Sequence, residues 1–481
     1  MNYQRERELV IVGGGPAGMA AAIAAREAGV GEVTVIDERA KLGGQIYKQM
    51  GSGWRVLQPE KLGKDYQRGR ALITAAGGSG AELLTNNVVW GIWDDRVALY
   101  EEGGQAGVIK AGAIILATGA YDRPVVFPGW TLPGVMTAGG AQSLIKTQKV
   151  IPGRRILMVG SGPLILAFSA QLHQYGANVV TVCEAAGFPA ATGALRLLRA
   201  APGNVGLLSD GLGYMSYLAR KRVPFLYSHI IVRAEGEHEV ERAVIAKVDR
   251  DWRPIPGTER TLEVDTICVG YGFFPSIELS RLVGCEHEYD ENLGGYIPIR
   301  DEWMRTTIKG VLAAGDGTGV AGSLVAIEEG TLAGIAAAMD LGKISRGDAE
   351  RRVARVRARL ARLERFRGAL NRTYAVGKGV YALSTPDTIV CRCEEVTVAE
   401  ILDNMIADTS DPNAVKSLTR AGMGNCQGRN CQRQIAALVA GQAGRPIQDV
   451  PMFTARPPVK PVPIGLIAEE RPDDEPAAEA G

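Results

Sequence analysis

Short apolar runs, cut by glycine turns, alternate with alanine-rich helical stretches along the first 340 residues. Residues 9–12 are apolar throughout, Gly13, Gly14 and Gly15 interrupt them, and residues 16–28 carry alanines before a second apolar run, 33–36, that ends at Asp37. An apolar run bounded by turn residues is read as a strand buried on both faces, so the order strand, turn, helix, strand predicts a βαβ unit. The pattern recurs over 156–159, the turn Gly160, Ser161, Gly162, Pro163, a helix to about Tyr175, and 179–182 followed by Glu184. Strands at 113–117 and 266–269 run into Thr118-Gly119 and Gly270-Tyr271-Gly272 and close the two units. A third glycine signature, from Gly310 to Gly317, precedes an alanine-rich helix at about 323–339 and predicts a return to the first unit.

The organisation expected is a first nucleotide unit over 1–150, a second over 151–275, and a return to the first over 276–345. A helical linker over 346–384, a cysteine domain over 385–450 and a proline-rich tail over 451–481 follow. Within the linker, Val353, Val356, Leu360, Leu363 and Phe366 fall at helical spacing among arginines, which reads as an amphipathic helix. The prolines of 455–463 favour extended geometry, suited to docking a partner or to running along the surface.

Composition narrows the function. With 54 basic and 53 acidic side chains the net charge is +1, so no strong field draws nucleic acid or an anionic membrane. No apolar run has the length of a transmembrane helix or of a signal-peptide core. Seven cysteines, four of them crowded near the C-terminus, do not form a disulfide framework and point to the reducing cytoplasm.

The strongest phosphate signal is Gly13-x-Gly15-x-x-Gly18 with Pro16 and Ala17 inside it, between a strand and a helix and followed by an acid at the next strand's end. Gly13 permits the tight turn, Gly15 lets the backbone approach a pyrophosphate, and Gly18 packs helix on strand. Asp37, with Glu38 beside it, is the acceptor for ribose hydroxyls. The second loop keeps Gly160 and Gly162 but carries Ile165 where a glycine or alanine is usual, which is expected to compromise close helix packing. Glu184 remains as a ribose acceptor, and no arginine pair follows it to hold a 2′-phosphate. ATP, ADP or NAD, or an empty vestigial site, all stay open there. None of His173, His229, His238 and His287 falls in a motif, so no general base is assigned.

Near the C-terminus, Cys391-x-Cys393 and Cys426-x-x-x-x-Cys431 supply four thiols, the number a [2Fe-2S] cluster requires. Glycines 422, 424 and 428 crowd the second pair, as backbone amides turned toward cluster sulfurs would need. Zinc is the rival, disfavoured by the single residue between Cys391 and Cys393.

From residue 8 to about 341 the chain resembles the α/β flavoproteins with two dinucleotide-binding domains, the glutathione and thioredoxin reductase type. Gly315-Asp316, Gly44-Gln45 in the turn after Leu42, and Thr118-Gly119 match that family's flavin signatures, and the resemblance implies FAD in the first unit. The Cys-x-x-Cys of its disulfide reductases is absent. The cysteine segment resembles the bacterioferritin-associated-ferredoxin-like [2Fe-2S] domain, a small helical module. Together these parts resemble the α subunits of heteromeric amino-acid dehydrogenases, the group of D-hydroxyproline dehydrogenase, the opine oxidase flavoprotein and the hydrogen cyanide synthase flavoprotein. That resemblance implies a partner β subunit related to D-amino-acid oxidase that carries the substrate site, and electrons relayed by this chain to an acceptor. FMN at the contact between subunits occurs in some relatives, and no residue here claims it. A free-standing NAD(P)H-dependent FAD and iron-sulfur reductase, and a non-enzymatic sensing module, are the competing readings.

Overall fold

The computed structural model describes residues 3–51, 53–101, 103–188, 196–197, 199–200, 202–405 and 411–468. The end of the proline-rich tail, 469–481, lies outside the described residues.

Tyr3–Val12 is the central strand of the first sheet, with Val33–Ile36 and Ala106–Leu116 paired in parallel on its two sides. Glu82–Leu84 extends the sheet beyond Val33–Ile36. The long strand Ala106–Leu116 takes the antiparallel pair Arg96–Glu101 and Asn87–Trp93 along its first half and the returning strand Val311–Ala313 along its second. Leu9, Val10 and Ile11 are wholly buried, as a strand covered on both faces requires. Helices Pro16–Glu27 and Ser323–Asp340 pack together on one face. A Cβ on Gly330 or Gly334 would stand 2.1 or 2.3 Å from the carbonyl oxygens of Ala17 and Ala21, so the two helices cross at backbone contact. This explains the alanine-rich composition of both. The helix Arg346–Thr373 then lays Ala349, Val353 and Val356 into the same core, so that part of its apolar stripe is used within the chain.

The second sheet is all parallel, in the order Phe225–Tyr227, Val179–Glu184, Ile156–Gly160, Thr266–Gly270, Val135–Thr137. Val135–Thr137 belongs here, although the sequence reading kept everything to residue 150 in the first unit. A three-residue strand is too short to display a period. The antiparallel pair Ala120–Asp122 and Phe273–Pro275 lies where the chain crosses between units. A meander of His229–Glu235, Arg242–Lys247 and Arg260–Glu263, unseen from sequence, packs beside the second sheet.

The C-terminal segment pairs Ile389–Cys391 with Val396–Thr397 and adds helices Val398–Asp403, Pro412–Thr419 and Gln432–Ala443. Val390, Ile401, Val415, Ile435, Val439 and Phe453 form its core, and the Trp130 indole donates to the Ile389 carbonyl at 2.6 Å. The proline segment runs back over the first sheet: the Val459 amide donates to the Trp90 carbonyl at 2.8 Å, and the Tyr100 hydroxyl to that of Pro461 at 3.2 Å.

Candidate dinucleotide cavity and cysteine site

A cavity of about 530 Å³ opens at the C-terminal ends of the first sheet's strands. Its floor is the first glycine turn. Gly13 has φ 111°, and a Cβ there would lie 2.2 Å from the Ala117 carbonyl oxygen; one on Gly18 would lie 1.8 Å from that of Gly13. Both positions are closed to any side chain. Gly15 differs: the nearest atom to a Cβ there is the Gly44 Cα, at 3.7 Å, so the space before it is reserved rather than filled. The helix Pro16–Glu27 starts at Gly15 without a side-chain cap, which leaves its first amides facing the cavity as an anion site. Gly44, at φ 60°, brings a second backbone against Gly15, and Gln45 follows in the wall.

Asp37 sits at one end of the cavity. Its carboxylate accepts from the Gly14 amide at 2.6 Å and the Arg39 amide at 2.8 Å, while burial pushes its pKa up. The ribose acceptor thus also braces the turn. Glu38 lines the same end, with its carboxylate ion-paired to Lys460 from the tail. Along the opposite wall, the Thr118 hydroxyl donates to the Ser276 carbonyl at 2.7 Å, and Gly119 has φ 73°. Gly315, at φ 79°, donates its amide to Glu329 at 2.8 Å, and Glu329 is buried in an ion pair with Arg300 at 2.6 Å. Asp316 accepts from the amides of Ala321 and Gly322 at 3.0 and 2.9 Å, with burial again raising its pKa.

The cavity has walls that sequence reasoning missed. Lys48 and Asp122 line it where the first unit meets the second, together with Thr137, Gln142, Ser143 and Leu164. Lys460 and Val459 come from the tail, and Arg429 from the loop between Cys426 and Cys431. Arg429 donates to the Tyr121 hydroxyl at 2.9 Å, the Cys426 carbonyl at 3.1 Å and the Val459 carbonyl at 2.8 Å, and pairs with Glu278 at 3.2 Å. A lone lysine or arginine in a loop carries no period. Glu329, buried in the middle of an alanine-rich helix, supports Gly315 from behind and was likewise not singled out. No histidine lines this cavity among the described residues.

In the second unit, a Cβ on Gly160 would lie 2.0 Å from the Gly270 carbonyl oxygen, and Gly162 has φ 99°. Ile165 does not loosen the helix, contrary to the sequence expectation. It is wholly buried, and Gly270 supplies the missing room: a Cβ on Gly270 would be 2.8 Å from the Ile165 Cγ2. The small residue has moved from the helix to the neighbouring strand end. Glu184 is buried, its oxygens accepting from the amides of Gly162 and Ala186, both at 2.9 Å, and burial raises its pKa. Tyr374, just past the long helix, lies above Gly162, 4.0 Å from where its Cβ would be.

The four C-terminal cysteines interact with one another. A hydrogen bond with Cys431 pulls the Cys391 thiol down to about 6 and raises that of Cys431, while burial, with the Cys426 thiol beside it, raises Cys393. The Gly422 amide donates to the Cys391 sulfur at 3.3 Å, and a Cβ on Gly424 would lie 2.3 Å from that of Cys393. The thiols therefore form two close pairs. Among the described residues, no three of His, Cys, Asp or Glu converge as ligands of a metal ion. Cys183 and Cys268 lie apart on buried strands, where desolvation pushes each thiol to about 12.

Two stacked nucleotide units, the first resumed late in the chain around a glycine-floored cavity, define a class. The chain belongs to the pyridine nucleotide-disulphide oxidoreductase family, which matches residues 7–342, and it is an oxidoreductase. Residues 385–471, the segment likened to a [2Fe-2S] module from sequence, match the sarcosine oxidase A3 domain. The opine oxidase A-subunit of Agrobacterium tumefaciens (strain Ach5) is 32% identical over 473 residues, covering 96% of this chain and 91% of that protein. Hydrogen cyanide synthase subunit HcnB of Pseudomonas aeruginosa is 35% identical over 462 residues, covering 95% and 97%. In fold, the chain resembles L-proline dehydrogenase from P. horikoshii, with a TM-score of 0.68 at 20% identity over 97% of this chain and 81% of that one. No helix among the described residues is long and apolar enough to cross a membrane.

Proposed function

We propose that this chain is the FAD- and [2Fe-2S]-bearing electron-transfer subunit of a heteromeric amino- or imino-acid dehydrogenase, working with a D-amino-acid-oxidase-like β subunit that holds the substrate. The observation that carries the reading is Arg429, which sits in the cysteine loop, binds the Cys426 carbonyl and lines the dinucleotide cavity. The residues fit both groups. The uncapped helix and the open space before Gly15 suit a pyrophosphate, and two thiol pairs suit two irons with two thiolates each. When bound, the flavin supplies two-electron chemistry and the cluster single-electron transfer. The chain's own part is to bind and orient: Asp37 for a ribose, the Gly13–Gly18 turn for phosphates, Gly315 and Asp316 for the ribityl side, and Arg429 as the joint between sites. A relay subunit needs no substrate base of its own.

Purified alone, the chain is expected to show no amine-dependent dye reduction with D-proline-type, opine or glycine substrates, and to gain it on co-expression with its genomic neighbour. Substantial activity in the isolated chain would place the substrate site against its own cavity and end this reading.

The intact Gly160/Gly162 turn favours one rival, a free-standing NAD(P)H-dependent reductase. Against it, Tyr374 lies over the turn, 4.0 Å from where a Gly162 Cβ would be. Stopped-flow mixing with NADH or NADPH is expected to leave the flavin oxidised on the turnover timescale. Rapid bleaching would put the reductase first.

A further inference from the structure

The two glycine turns differ in what lies before them. Gly15 and Gly162 are the corresponding second glycines, the position at which the backbone of a nucleotide turn approaches a pyrophosphate. Before Gly15 the cavity is open, with no atom nearer than 3.7 Å to a Cβ there. Before Gly162 stands Tyr374, whose Cβ and Cγ both lie 4.0 Å from the corresponding point, in ordinary van der Waals contact. Burial, with the charges of Glu184 and Tyr227 near it, pushes the Tyr374 hydroxyl up to about 12, so the ring shares the space before the turn with the ribose acceptor. Glu184 itself is only 3% exposed.

Tyr374 is held there from both sides. Its amide donates to the Leu370 carbonyl at 2.9 Å, closing the helix Arg346–Thr373. Beyond it, a Cβ on Gly377 would lie 2.4 Å from the Trp252 Cγ and one on Gly379 2.6 Å from the Trp252 carbonyl carbon, so this approach is open to glycine alone. The Gly379 amide donates to the Asp251 carbonyl at 2.7 Å, and Val380 is wholly buried in the core of the second unit. Trp252 takes a left-handed φ of 66°, rare for a bulky residue, in a loop braced by Asp249, which accepts from the Asp251 and Arg253 amides at 2.9 Å. A strained loop therefore receives the linker. Further along, the Tyr381 hydroxyl accepts from Arg433 Nε at 2.5 Å and its carbonyl from Gln434 Nε2 at 3.0 Å, both in the helix that follows Cys431. We propose that the linker is itself the ligand of the second nucleotide unit: Tyr374 fills the place of a pyrophosphate and ribose before Gly162 and Glu184, and the unit serves as an anchor that carries residues 374–383 to the cysteine module. Free nucleotide is shut out of this unit, whichever group fills the first cavity.

The test is equilibrium dialysis of the full chain against radiolabelled ADP, which carries both the pyrophosphate and a free ribose. Gly15→Val closes the first cavity, so binding in that background reports the second unit. With Tyr374 in place, the Gly15→Val protein is expected to bind no ADP at millimolar concentration. Adding Tyr374→Gly is expected to improve the affinity about a hundredfold, because removing the internal occupant restores the fraction of protein competent to bind. Tyr374→Phe, which keeps the ring, should leave the site closed, and Glu184→Ala should cancel the gain made by Tyr374→Gly. A purely structural tyrosine would destabilise the fold when replaced and leave ADP affinity where it was, which overturns the proposal. So does a gain that survives Glu184→Ala, or binding that Glu184→Ala removes from protein still carrying Tyr374. Should Tyr374→Gly fail to fold, Tyr374→Leu keeps apolar contact with the linker's neighbours while vacating the far half of the ring's space, and carries the same expectation.

Discussion

Gly15→Val is expected to yield a folded protein that purifies without the yellow colour of a bound flavin. The backbone at Gly15, φ −77° and ψ −173°, is extended and open to a branched residue, and a Cβ there meets nothing closer than 3.7 Å. The valine methyls therefore enter only the space kept for a pyrophosphate, and cofactor is lost without loss of fold. Gly18→Ala provides the contrast. Its Cβ would stand 1.8 Å from the Gly13 carbonyl oxygen, so helix and turn must separate, at a cost on the order of 3 kcal/mol. Thermal denaturation separates the two variants: the midpoint of Gly15→Val stays near that of the cofactor-free wild type, and that of Gly18→Ala falls well below it. Chromatography of the nucleotide released from wild type tells FAD from NAD, ATP or ADP. Full flavin in purified Gly15→Val would remove the cavity from the cofactor site.

The second large effect is at the cysteines. Replacing any one of Cys391, Cys393, Cys426 or Cys431 by serine is expected to abolish the iron content and the paramagnetic signal of dithionite-reduced protein, because a two-iron cluster needs all four thiolates. Cys183→Ser is the control. Cys183 is wholly buried on the strand Val179–Glu184, so its serine carries a buried hydroxyl at a cost of about 1–3 kcal/mol, yet it leaves the iron untouched. Loss of iron marks a ligand, whereas stability lost with the iron retained marks a core cysteine. Stoichiometric zinc in place of iron would keep the four residues as a site and end their redox role.

The first βαβ unit was legible because each of its signals is local. Four apolar residues, a glycine turn and an alanine-rich helix state their own periods, and the helix Pro16–Glu27 and strand Val33–Ile36 fall where those periods put them. The second unit was legible in outline for the same reason. Ile165 was read in the wrong sense because the residue that makes room for it, Gly270, lies on a strand more than a hundred positions away. The cysteine quartet was likewise visible from spacing alone.

By itself, then, the sequence determined what short-range chemistry can dictate: two nucleotide turns, their acids Asp37 and Glu184, the late glycine-aspartate Gly315-Asp316, and four thiols in two groups. The tertiary structure alone decided what those parts meet. It carries Lys460 back to Glu38 and sets Arg429 between the cysteines and the cavity, and it places Lys48 beside Asp122. Each of these residues is a single charged side chain in a loop or at the end of a short strand. No periodicity or spacing marks such a residue, and its role arises from burial and from a partner brought near by the crossing of distant strands and helices.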